Sequence, residues 1–165
     1  MSSHELKTDF SLSTGEKAIL LEDFRWRKSQ IKATSLLANV IYRSAAKDKG
    51  VFETILFENG FITEGAVSNV FCCTDNKIIT PPLSENILPG ITRKVILEVI
   101  QDISLEYEES KIPIESFLEA EEIWVTNSTK GIIPIIDLDG KKIGSGKPGE
   151  KYLQVSKPFM AKLLD

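Results

Sequence analysis

The chain has 165 residues, 42% hydrophobic and 27% charged, which is enough to bury a core and falls in the usual single-domain range. A formal net charge of -4 and a pI near 5.2 leave no basic stripe to track a phosphate backbone, so nucleic acid is not an expected partner. No stretch approaches the roughly 20 apolar residues of a membrane helix, and the polar start MSSHELKTDF lacks the apolar segment of a signal peptide, so no membrane association and a cytoplasmic location are expected.

The first fifteen residues are polar and are expected to lack fixed structure. They contain the single histidine, His4, which leaves no material for a histidine metal site or a Ser/His/Asp relay. EKAILLEDFRW, 16–26, reads as a β-like run leading toward Lys32. In SLLANVIYRSAAKDKG the period changes: Leu36 or Leu37, Val40, Ile41, Ser44 and Ala45 recur at helical spacing and Gly50 supplies a stop, which predicts a helix with that face buried.

VFETILFENGFITEG holds two β-branched and aromatic runs joined at Asn59-Gly60, a pair that tolerates positive φ and favours a tight hairpin. VSNVFCCT and KIIT continue the strands around Asp75-Asn76. Within them Cys72 and Cys73 are adjacent, so their side chains point to opposite faces and cannot form a relaxed disulfide; both read as free thiols in a reducing compartment. The three prolines of PPLSENILPG then break the pattern.

Helical spacing returns at Ile91, with Val95, Ile96, Val99, Ile100 and Ile103 on one face and Lys94 and Glu98 as an exposed pair. SLEYEESKIP reads as a strand, IESFLEAEE as a short helix, EIWVTN as a buried strand and IIPIIDLDGKKI as a hairpin turning at Asp139-Gly140. A last helix is expected from about Gly149, bent or interrupted near Pro158. The hairpins preclude an all-parallel sheet, so the expected architecture is mixed α/β or α+β: one domain, a mixed sheet with hairpins and flanking helices.

Polar residues at the ends of apolar elements are where chemistry is sought. Lys32 in QIKATSLL lies in an apolar and hydroxylic setting that would partly desolvate its amine. Glu64 in TEGAVSN ends a hairpin strand and precedes small residues that allow close approach of a ligand. LPGITR puts Gly90, Ile91 and Thr92 at a helix start, where free N–H groups favour an anion, and VTNSTKG clusters Asn127, Ser128 and Thr129 after a buried strand. Each feature also has a structural explanation: a solvated amine, a turn carboxylate, a helix cap, a polar turn. GxGxxG and GxxxxGK[ST] are absent, which removes the usual arguments for dinucleotides and nucleoside triphosphates. A phosphate cradle, a nucleophilic lysine and a carboxylate for a protonated ring nitrogen are together the parts that pyridoxal phosphate requires.

IKATSLLANV, ITEGAVSNVF, LPGITRKV and EIWVTNSTKGIIPIIDLDG, in this order and spacing, resemble the class IV, fold type IV pyridoxal phosphate-dependent aminotransferases from about residue 15 to the C-terminus. EDFRW upstream of Lys32 is most similar to the D-amino acid aminotransferase branch. The resemblance implies that residues 16–165 are the large C-terminal, cofactor-binding domain, with the family's smaller N-terminal domain missing. It implies that Lys32 holds the cofactor covalently and then carries the substrate proton, and that Glu64 bonds the pyridine nitrogen. Ile91 and Thr92 match the phosphate-binding helix start, Ser128 with Asn127 or Thr129 the second phosphate loop, and Arg25 an arginine beside the pocket. The activity implied is transfer of an amino group from an amino acid, a D-amino acid such as D-alanine, to a 2-oxo acid by a homodimer. Aminodeoxychorismate lyase and branched-chain aminotransferase are the alternatives within the family; a cofactor-binding, dimerising module without turnover is the alternative of another class.

Overall fold

The computed structural model describes residues 13–164; His4 and the polar stretch through residue 12 lie outside them. Among the described residues nine strands form one sheet in the order β3-β2-β1-β8-β7-β4-β5-β6, with β9 beside β8. The strands are β1 (Glu16–Glu22), β2 (Glu53–Glu58), β3 (Phe61–Gly65), β4 (Asn69–Thr74), β5 (Lys77–Thr80), β6 (Tyr107–Glu109), β7 (Glu122–Asn127), β8 (Gly131–Leu138) and β9 (Lys141–Lys142). Four helices flank them: α1 (Leu37–Asp48), α2 (Ile91–Asp102), α3 (Ile114–Leu118) and α4 (Glu150–Leu164). β1 pairs in parallel with β2 and β8, whereas β2 with β3, β4 with β5 and β7, and β7 with β8 are antiparallel, so the sheet is mixed as expected.

Local chemistry explains the turns. Asn59 and Gly60 have φ of 52° and 81°, Asp75 and Asn76 51° and 65°, and Asp139 and Gly140 51° and 82°. Two consecutive positive values match the twist of the flanking strands, and Asn, Asp and Gly reach them at least cost.

The sheet is strongly coiled. Four strands lie between β3 and β4 in the ladder, yet residues 66–68 alone join them and Gly65 N–H donates to Ser68 O at 2.7 Å. Only a sheet that curls back on itself satisfies both facts. Alternation along β4 and β7 then separates two cores: Val70, Cys72, Ile123 and Val125 face the inside with Phe117 of α3, and Phe71, Cys73 and Trp124 face α2 and α4. Cys72 and Cys73 are accordingly free and buried on opposite faces.

Three expectations are corrected. The first strand stops at Glu22: the Asp23 N–H to Phe57 O bond at 2.7 Å is its last rung to β2, beyond which the Asp23 carboxylate turns to Arg25. Helix α1 forms, but Leu37, Val40 and Ile41 are 74%, 60% and 47% exposed, and its buried residues are Tyr42 and Ala46, with Tyr42 packed on Leu56 and Ala66. Periodicity locates stripes on a helix but not which stripe meets the sheet; here the small residues allow close approach, and Tyr42 O–H donates to Glu22 O at 2.6 Å. Helix α4 runs through Pro158 without interruption, so of the bend or interruption expected there the interruption is the part corrected. Helix α2 buries Ile96, Val99 and Ile100 as expected, while Glu98 pairs with Lys162 of α4 at 3.3 Å.

Candidate active site

The carboxyl ends of β1, β3 and β7 and the start of α2 surround a cavity of about 730 Å³, within the range of small-molecule sites. Lys32, Glu64, Arg25, Ile91, Thr92, Asn127 and Ser128 all border it. Residues spread over a hundred positions of sequence are thus brought to one space by the curl of the sheet.

Glu64 is 4% exposed. Its Oε1 accepts from Arg25 NH1 at 2.5 Å, and its Oε2 accepts from Leu88 N–H at 2.9 Å and from Asn69 Nδ2 at 3.2 Å. Burial pushes its carboxyl up to about 7, although Arg25 and the Leu88 N–H act to lower it. Arg25 in turn gives Nε to Asp23 Oδ1 at 2.9 Å, NH2 to Asp23 Oδ2 at 2.7 Å and NH2 to Asn86 O at 3.0 Å. Burial alone would lower its pKa, but the bonds from Asp23 and the charge of Glu64 hold it above the ordinary value. A water-facing turn carboxylate is therefore ruled out for Glu64.

Two glycines fix this geometry. A Cβ on Gly65 would meet Ser68 Oγ at 2.1 Å, and Ser68 Oγ donates to the fully buried Glu53 at 2.8 Å, which braces the turn between β3 and β4. A Cβ on Gly90 would meet Asn69 Oδ1 at 2.1 Å; its absence lets the start of α2 lie against Asn69, whose Nδ2 also donates to Leu88 O at 2.8 Å.

Gly90 is the N-cap of α2 and makes no side-chain cap bond; the first helical bond is Lys94 N–H to Gly90 O. The N–H groups before it, including those of Ile91 and Thr92, have no helical partner, so they and the positive dipole end suit an anion. Thr92 is not the cap. Across the cavity, Asn127 Oδ1 accepts from Thr129 N–H at 3.1 Å, Thr129 Oγ1 at 2.9 Å and Lys130 N–H at 2.9 Å. Asn127 thus closes its own loop, between β7 and β8, and Ser128 and Thr129 border the cavity on it.

Lys32 departs from expectation in one respect. It sits in the irregular segment between β1 and α1 and is exposed rather than partly buried. Its neighbours Ile31 and Leu36 are 52% and 51% exposed, so the apolar side chains that were to shelter it face outward. Asp23, Asn69, Asn86 and the Leu88 N–H were not singled out in the sequence, though Asn69 lies inside TEGAVSN and Asp23 inside EDFRW; their roles depend on contacts across the curled sheet.

The buried acid at one end and the free helix N-terminus and hydroxyl loop at the other fit the two ends of pyridoxal phosphate, a basic ring nitrogen and a phosphate. The family described as amino-transferase class IV matches residues 7–138. D-alanine aminotransferase of Bacillus licheniformis is 38% identical over 143 residues, 87% of this chain and 50% of the relative, and that of Staphylococcus haemolyticus is 34% identical over 148 residues, 90% and 52%. Among solved structures, the branched-chain amino acid aminotransferase of Escherichia coli superposes with a TM-score of 0.84 at 28% identity, covering 93% of this chain and 52% of that one. The chain spans about half the length of the curated relatives it matches. Pyridoxal 5'-phosphate is the cofactor with which class IV aminotransferases work. On the match over most of its length, the chain belongs to the class IV aminotransferases.

Proposed function

We propose that this chain holds pyridoxal 5'-phosphate and that the site serves amino-group transfer between a D-amino acid such as D-alanine and a 2-oxo acid. The observation that carries the proposal is that Lys32, Glu64, Arg25, the α2 start and the loop after β7 border a single cavity. The 38% identity to a D-alanine aminotransferase supports the substrate class.

When bound, the cofactor supplies an aldehyde that joins amines and a ring that accepts the electron pair left by a departing proton. Glu64 holds the ring nitrogen in its charged state through a carboxylate oxygen. The N–H groups at Ile91 and Thr92 and the hydroxyls of Ser128 and Thr129 hold the phosphate and so orient the ring. Lys32 would hold the cofactor through its aldehyde, and its amine is the group that would take up and give back the substrate proton. Lys32 is exposed at the border of the cavity, so its amine is accessible to a ligand there. The assembly we expect is a homodimer in the cytoplasm.

The structural likeness to branched-chain aminotransferases favours one second reading, transfer from an L-branched-chain amino acid. Loaded protein is mixed with 2-oxoglutarate and either D-alanine or L-leucine. Pyruvate from D-alanine supports the first reading; product from L-leucine alone replaces it. Visible cofactor absorbance without product from either leaves a cofactor-binding module and refutes transfer by this chain.

A further inference from the structure

The ionisable groups behind Glu64 do not balance. Arg25 contributes one positive charge to two carboxylates, Asp23 and Glu64, and the three side chains are 4%, 5% and 6% exposed, so water screens them little. With both acids ionised, the buried cluster carries a net charge of -1. A buried charge left without a partner is costly; burial is the chief cause of the raised pKa of Glu64, and the charge of the Asp23 carboxylate adds to it.

The division of the guanidinium is uneven. Asp23 takes it side-on through Nε and NH2, and also accepts the Arg25 backbone N–H at 3.0 Å and Thr63 Oγ1 at 3.1 Å. Glu64 receives NH1 alone, with Leu88 N–H and Asn69 as neutral donors. Other charges stand farther off: Glu58 reaches the cluster only through Asn86, which donates to it at 2.6 Å, and Lys32 is exposed. Were Asp23 neutral, Arg25 and Glu64 would form a balanced pair and would offer no net charge to a cation.

We infer that Asp23 is a positioning residue that takes up the charge of Arg25 and thereby reserves the negative charge of Glu64 for the protonated ring nitrogen of the cofactor. The inference rests on the proposed contact between Glu64 and that nitrogen. It gives the arginine a mechanical part, holding Glu64 in place, and gives the second acid the electrostatic one.

The test loads the chain with pyridoxal phosphate labelled with ¹⁵N in the ring and follows the ¹⁵N chemical shift against pH. The wild-type nitrogen should stay protonated through neutrality. Asp23→Asn should lower its pKa by about 1 to 3 pH units, the effect of a nearby unit charge. Adding Arg25→Gln to Asp23→Asn should restore protonation, because Glu64 again stands alone with a charge of -1; loss of packing would not be rescued by a second truncation. An unchanged pKa in Asp23→Asn, or no recovery in the double variant, overturns the inference. Should Asp23→Asn fail to fold, Arg25→Gln alone must raise the ring pKa, and a fall overturns the inference instead. An unprotonated nitrogen in the wild type refutes the Glu64 contact itself, a separate failure.

Discussion

Glu64→Gln offers a prediction whose sign and size follow from the buried carboxyl. In the folded, cofactor-free chain Glu64 is raised from 4.5 to about 7, chiefly by burial. A raised acid is protonated more readily in the folded state, so its contribution to stability is fully present below pH 4.5 and is lost as pH rises through 7. Over that window the ionisation of Glu64 costs about 3 kcal/mol, taking about 1.4 kcal/mol per pH unit. The group is 4% exposed, so screening by water does not reduce this much. For a domain of this size the loss corresponds to roughly 6 to 12 °C in unfolding temperature. Thermal unfolding of apo protein at pH 4.5 and pH 8 should therefore show a smaller pH-dependent fall in Glu64→Gln than in the wild type. The variant keeps every other titrating group, including the buried Glu53, whose pKa burial also raises, so the difference isolates Glu64. Equal falls in the two proteins would refute the assignment of an acid raised by burial at this position.

Other perturbations test the surroundings of the site. Gly90→Ala places a Cβ 2.1 Å from Asn69 Oδ1 and should lower stability by about 1 to 3 kcal/mol in denaturant unfolding, since Asn69 must leave Glu64 and Leu88. Thr126 borders the cavity with a buried hydroxyl that has no partner among the described residues, so isosteric Thr126→Val should be neutral or stabilise the apo chain by about 1 kcal/mol. A marked loss there would reveal a bond to the hydroxyl. Burial pushes the Cys72 thiol up to about 12 and raises Cys73 further, so both should resist a thiol reagent at pH 8 until the protein unfolds. Rapid labelling of either in the native state would contradict their placement in the two cores.

The parts of the fold legible in the sequence are those fixed by neighbours in the chain. Asn59-Gly60, Asp75-Asn76 and Asp139-Gly140 specify their hairpins through their own backbone preferences, and adjacent Cys72 and Cys73 must face opposite sides of a strand. Motif resemblance picked out residues that meet at the cavity, because each motif carries its own turn or helix start. The exposed stripe of α1 was not legible, since Leu37, Val40 and Ile41 have the same spacing whether they face the sheet or not. Nor was the charge cluster: Asp23, Arg25 and Glu64 come together only because β3 follows β2 to the edge of a coiled sheet. Lys32 was expected to be sheltered by side chains that in fact point outward.

Covalent capture at Lys32 is the claim on which the proposed chemistry depends. Protein mixed with pyridoxal phosphate and reduced with borohydride should, after digestion, carry the reduced cofactor on the peptide containing Lys32, and Lys32→Ala should carry none. Label on another lysine of the wild type, or undiminished label in Lys32→Ala, would contradict the account.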